Sequence, residues 1–135
     1  MKLDKSTLHR TIADSYASQR KPREEWNGFA DLEVQVEEIH HRLLGNQAEQ
    51  AACLFKEIVP DYLLKWGYNS VVIELGQRLQ SNLPHTSGSL SSVIHSLGLA
   101  YMNIGDFQHA REKLEAALAS RLPRIKDALV PCWAI

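Results

Sequence analysis

Apolar residues recur at helical spacing along nearly the whole chain, and no segment alternates apolar and polar residues over the several positions that a half-buried strand requires. The pattern predicts an all-α fold of about six to seven helices. Asp4 can cap a first helix with the stripe Leu8, Ile12, Ala13 and Tyr16, and Arg20-Lys21-Pro22 should end it with positive charge in the last turn. A second helix is expected over 29–44. Its apolar positions Leu32, Val36, Ile39 and Leu43 share one face, and Gly45 is placed for a left-handed C-terminal cap. Asn46 should cap a third helix carrying Ala48, Ala51, Ala52, Phe55, Ile58 and Val59, which Pro60 interrupts or kinks before Tyr62, Leu63, Leu64 and Trp66, and which Gly67 closes. A fourth opens at Asn69 or Ser70 with Val71, Val72, Leu75 and Leu79. The loop 81–89, with Pro84 and Gly88, leads to a fifth ending near Ile104. The sixth follows Gly105-Asp106 and runs to about Ser120, with Phe107, Ala110, Leu114, Ala117 and Leu118 expected to be buried. Leu122-Pro123 then turns the chain toward a short seventh. Links of two to eight residues make successive helices antiparallel neighbours, as in stacked hairpins.

A search for internal repetition singles out residues 89–123. Within SSVIHSLGLAYMNIGDFQHAREKLEAALASRLP, residues Leu97-Gly98, Tyr101, Gly105-Asp106-Phe107, Ala110, Leu114 and Ala117 have a spacing that resembles a tetratricopeptide repeat. Each has a mechanical role. Gly98 lets the paired helix approach, Ala110 and Ala117 are small where the helices cross, Tyr101 and Leu114 fill the space between, and Gly105-Asp106 makes the turn. Ile94 stands where the family often has Trp, and Pro123 comes one position late. Residues 46–82 form a degenerate repeat, with Trp66-Gly67-Tyr68 at its turn and Pro60 and Gly76 as irregularities. Residues 1–45 supply N-terminal helices and 124–135 a tail, all in one domain. The resemblance implies a right-handed superhelix of antiparallel hairpins. The layout LHRTIADSY, EEIHHRLLG, AACLF and YLLKWGYNSVVIEL before the clear repeat is also similar to the helical segment of bacterial STAND-class signalling ATPases. No GxxxxGK[ST] loop accompanies it, so no nucleotide site is carried over.

Composition narrows the chemistry. In 135 residues, 15 Lys and Arg nearly balance 16 Asp and Glu, without a long block of one sign, which argues against nucleic-acid and anionic-membrane partners. There is no signal-peptide core and no apolar run of membrane-spanning length, and two separated cysteines, Cys53 and Cys132, suit a cytoplasmic setting. Cys53 reads as a small buried hydrophobe. Glu37-x-x-His40 and Glu38-x-x-His41 have the spacing of di-iron motifs, but both lie on one helix with the two imidazoles about 100° apart. Glu33, Glu37 and His41 read instead as a solvated face, and no metal or other cofactor is expected. Ser87, Ser89, Ser91 and Ser92 have no strand before them and no triad partner, so they are assigned to caps and turns. Trp66 is expected in packing, while Trp26 and Trp133 are open between core and partner contacts. No catalytic residue is assigned, and a helical-bundle enzyme or metal carrier is the remote alternative.

One feature departs from the average. Between Arg78 and Asp106 there is no formally charged residue, and this gap contains the whole fifth helix. The repeat resemblance places that helix on a concave surface where the family binds extended peptides or a partner's helix. The implied groove residues are Ser92, His95, Leu99, Met102 and Asn103. Met102 is adaptable, and His95 and Asn103 can hydrogen-bond a peptide backbone. No Lys or Arg is present to clamp a terminal carboxylate. The expectation is a non-catalytic protein- or peptide-binding module, with a regulatory segment of a STAND-type ATPase as the alternative. The apolar C-terminal end, Leu129 to Ile135, is expected to fold back on the last hairpin or to join a second copy of the chain.

Overall fold

The structure, a computed structural model, describes residues 4–121. The described residues are all-α, with no strand among them. The helices are α1 (Lys5–Ala17), α2 (Glu33–Leu44), α3 (Ala48–Ile58), α4 (Asn69–Asn82), α5 (Leu90–Asn103) and α6 (Phe107–Arg121). From α1 to α3 and from α4 to α6 each helix packs on the next, and α3 meets α4 through the turn of helix that follows it. Contacts of α2 with α4 and of α3 with α5 sort the middle of the stack into two layers. Phe55, Ile58, Val72, Leu79 and Val93 lie between these helices, fully buried in one cluster with Leu32 and Ile39.

Three of the links between helices close in the same way. In each, two backbone N–H groups just past the helix return to carbonyls of its last turn, in the reciprocal pattern of a Schellman cap. After α2, Gln47 donates to the Arg42 carbonyl at 2.7 Å and Asn46 to that of Leu43 at 3.3 Å. Past Leu64, Tyr68 donates to Leu63 and Gly67 to Leu64, and after α5, Asp106 donates to Tyr101 and Gly105 to Met102. The motif needs one residue at positive φ, supplied by Gly67 (85°), Gly105 (85°) and, after α2, Asn46 (61°). The sequence reading assigned that position to Gly45, which instead sits at φ −91°. Gly45 has a different reason to be glycine: a Cβ there would lie 2.8 Å from Arg10 Cγ and 3.1 Å from the Ser6 carbonyl oxygen, so α1 could not approach. Asn46 therefore caps no third helix with its side chain; its amide donates to Ser6 Oγ.

Pro60 interrupts the third helix as expected: α3 ends at Ile58 and the chain goes on as a different kind of turn. A proline there cannot donate to the preceding turn, and its ring presses on the carbonyl four residues back. Val59–Leu63 widens into one π-helical turn, closed by Leu64 N–H to the Val59 carbonyl at 3.0 Å. Two other boundaries differ from expectation. The first helix stops at Ala17, because Arg20 and Lys21 are drawn to Glu38 and Asp31 rather than to the helix end. The second begins at Glu33, preceded by a short 3-10 turn over Phe29–Asp31 whose Asp31 carboxylate accepts from the N–H groups of Asn27 and Gly28.

In α6 the expected buried stripe is only half correct. Ala110 and Ala117 are buried and Leu114 partly so, but Phe107 and Leu118 are 68% and 61% exposed. Ala110 and Leu114 meet Gly98 of α5, while Phe107 and Leu118 are left largely to the outside. Leu8 in α1 is likewise 47% exposed. The expected seventh helix, the apolar tail from Leu129 to Ile135, Cys132 and Trp133 lie outside the described residues.

Candidate functional site

The α5–α6 hairpin is built on the close approach that its glycine allows. A Cβ on Gly98 would fall 2.7 Å from Leu114 Cγ, 2.8 Å from Leu114 Cδ2 and 3.3 Å from the Ala110 carbonyl oxygen. The same device recurs one helix earlier, where a Cβ on Gly76 of α4 would fall 2.7 Å from Leu97 Cγ and Cδ2. The residue that looked like an irregularity of the degenerate repeat is thus what seats α5 against α4. Tyr101 is buried between the two helices, its hydroxyl accepting from Gln77 Nε2 of α4 and its ring stacked on His109 of α6 at 5.1 Å. At the turn, Asp106 accepts from the His109 backbone N–H at 3.2 Å and from its ring Nδ1 at 2.7 Å. These bonds to His109 hold the Asp106 carboxyl below the usual carboxylate range.

With its buried side pinned by α3, α4 and α6, α5 turns one remaining side outward. Ser92, His95 and Leu99 are half-buried there, and Met102 (43% exposed) and Asn103 are open. The five residues share a helix face opposite Val93, Leu97 and Tyr101, and Leu99 rests against the main core cluster. The surface therefore deepens toward Ser92 and opens toward Asn103. Asn103 Nδ2 donates to Asn69 Oδ1 at 3.0 Å, which ties the open end to the first residue of α4. One residue before Asn69, Tyr68 is 39% exposed and stacks on Phe29 at 4.7 Å. Asn69, Tyr68 and Phe29 were missed at the sequence level. Antiparallel packing of α4 and α5 was the signal that could have found the first two, since it sets the start of one helix beside the end of the other.

The remaining candidate residues take structural positions. Ser87 Oγ accepts from the Ser89 N–H and donates to Glu49 Oε2 at 3.0 Å, the turn role expected of it. Trp26 is buried, donates its indole N–H to the Lys21 carbonyl and packs edge-on against Tyr62, which contacts Trp66 in turn. Cys53 is half-buried. No group of three or more metal-ligating side chains occurs among the described residues. The solvated-face reading of the second helix holds for Glu33 and Glu37 but fails for His41, which is half-buried with the His9 ring at its Nδ1 edge and the Tyr16 ring 5.8 Å away, while Glu38 is fully buried. Glu38 accepts from Arg20 and from Arg42, the latter at 2.7 Å, and Arg42 also reaches Gln47 and Asp14.

No family model, curated protein or solved structure matches the chain. None of the described helices is long and apolar enough to cross a membrane.

Proposed function

We propose that the protein is a tetratricopeptide-like interaction module that binds an uncharged, partly apolar segment of another protein along α5, without catalysis. The observation that carries this reading is the coincidence of two independent features on one helix. The face formed by Ser92, His95, Leu99, Met102 and Asn103 is half-buried at its Ser92 end and open at Met102 and Asn103, and it belongs to the one long stretch, from Leu79 to Gly105, without a charged side chain. A neutral face with a thioether, an amide and an imidazole can pair with a peptide backbone and adapt to apolar side chains, and imposes no charge on its ligand. The close approach at Gly98 and the tight turn at Gly105 support the tetratricopeptide-like reading, since that repeat calls for a glycine at the helix crossing and a short turn between the paired helices.

The test uses peptides selected from a random display library against the whole protein. Binding of the selected peptides should fall at least about tenfold for Met102→Glu, a loss of about 1.4 kcal/mol, and should persist in Leu118→Glu, whose change lies on the outside of α6. Equal binding by the wild type and Met102→Glu would remove the groove from the account.

A further inference from the structure

The N-terminal helix is attached differently from the rest of the stack. It packs on α2, buries only Ala13 completely, and contributes no residue to the core clusters. What holds it is polar: Arg10 Nε donates to the Gly45 carbonyl at 2.6 Å, Asn46 reaches Ser6, Arg42 reaches Asp14 at 3.4 Å, and His9 Nδ1 meets His41 Nδ1 at 2.9 Å. An element held by few apolar contacts sits at the low-stability end of a structure and can open without the remainder.

The contact between the two imidazoles has a strict proton requirement. At 2.9 Å one Nδ1 must carry the hydrogen and the other must present a lone pair. Two neutral rings satisfy this, and so does a pair holding one extra proton; two imidazolium rings set N–H against N–H. Around the pair, Arg78 brings a positive charge to the neighbouring His40, while Glu37 acts on His41 in the opposite sense. The His40 ring stands edge-on to His41 at 5.2 Å, and its Nδ1 lies 2.7 Å from Nη1 of Arg78 in α4. A guanidinium can only donate, so that nitrogen too must be a bare lone pair. Tyr16 of α1 and His40 of α2 have ring contacts with His41, and Glu37 acts on its charge. Among the other charged groups of the two helices, Arg10 and Asp14 of α1 and Glu38 and Arg42 of α2 have partners of their own in Gly45, Arg42, Arg20 and Gln47. Glu38 is already engaged by Arg42 and by Arg20 of the following segment, and Asp14 points largely to solvent, so neither is free to balance a second proton.

We propose that the His9–His41 contact makes α1 an acid-released strap, docked on α2 while the pair carries at most one extra proton and let go when both rings are charged, with α2 to α6 remaining folded. Burial, and then the neighbouring His40 and His9, push the His41 imidazole below its ordinary value, with Glu37 opposing. The sign follows: a histidine whose folded-state value is depressed stabilises docking above the unfolded value, near 6.5, and that contribution is lost as pH falls from there through the lowered value. The released face of α2 would present His41, Glu38 and Arg42.

Amide hydrogen exchange on the whole chain, corrected for intrinsic rates, reads this directly. Between about pH 7.5 and about pH 5, protection of the α1 amides should fall about tenfold or more relative to that of α3 to α5. In the double variant His9→Phe with His41→Phe, which keeps an aromatic ring at each position and removes both titrating groups, α1 protection should be the same at the two pH values. If the double variant does not dock at neutral pH, His9→Phe alone, which leaves a single titrating ring in the pair, should show a smaller acid loss than the wild type. Unchanged wild-type protection at low pH overturns the proposal, as does an acid loss of full size in the phenylalanine variants, which would assign the effect to Asp14 or Glu38.

Discussion

Replacing Gly98 by alanine sets two effects of opposite sign against each other. In the interior of an exposed helix, Gly to Ala stabilises by about 1 kcal/mol, because alanine has less backbone freedom to lose. At Gly98 the added methyl would stand 2.7 Å from Leu114 Cγ and 3.3 Å from the Ala110 carbonyl oxygen. The first neighbour is the branch point of a side chain rather than its flexible end, and the second is backbone, so neither yields without moving α6. Overpacking of this kind costs about 1–3 kcal/mol, more than the propensity gain over most of that range. The net expectation is a destabilisation of up to about 2 kcal/mol in Gly98→Ala, seen as a lower urea midpoint at unchanged slope. Adding Leu114→Ala removes the colliding group, so the double variant should be more stable than the sum of the two single changes, with a coupling of about 1 kcal/mol. A stabilised Gly98→Ala, or two changes that simply add, would refute the close approach on which the α5–α6 hairpin rests.

Two further substitutions probe positions where the structure makes a signed statement. Gln35 is fully buried in α2 with no hydrogen-bond partner for its amide nitrogen or oxygen among the described residues, so Gln35→Met should raise the unfolding free energy by about 1–3 kcal/mol, and a loss of stability would show that the amide is satisfied. Gly105 has open space around its missing Cβ but stands at φ 85°, so Gly105→Ala should cost about 1 kcal/mol in a thermal or urea melt through the backbone alone, and Gly105→Asn distinctly less; equal costs would contradict the turn.

Much of the helical framework was legible because its causes are local. The segments of α3 to α6 follow from apolar spacing, and the turns at Gly67 and Gly105 follow from a glycine directly after a helical run. What escaped was set by contacts across the fold. Gly45 and Asn46 are adjacent and both can end a helix; only the approach of Arg10 and Ser6 from α1 decides that the glycine gives room and the asparagine takes the positive φ. Glu38 and Arg42 stand four apart and their pairing was readable, but the complete burial of Glu38 depends on Arg20, eighteen positions away. His41 looked solvated because its ring neighbours His9 and Tyr16 belong to another helix. In α6, helical spacing gave Phe107 and Leu118 the same rank as Ala110, Leu114 and Ala117, and only the packing across the fold, with Ala110 and Leu114 against Gly98, leaves Phe107 and Leu118 outside. The five groove residues share one face as their spacing required, while the extension toward Asn69 and Tyr68 came from the packing of α4 on α5.

The central claim, that the uncharged face of α5 receives a partner segment, is tested most directly by mapping backbone amide shift changes when a library-selected peptide is titrated into the labelled protein. The account predicts the largest changes at Ser92, His95, Leu99, Met102 and Asn103, continuing to Tyr68 and Asn69, with little change along the outside of α6 at Arg111 and Leu118. Changes concentrated on α6 or on α1, with the α5 face silent, would contradict it.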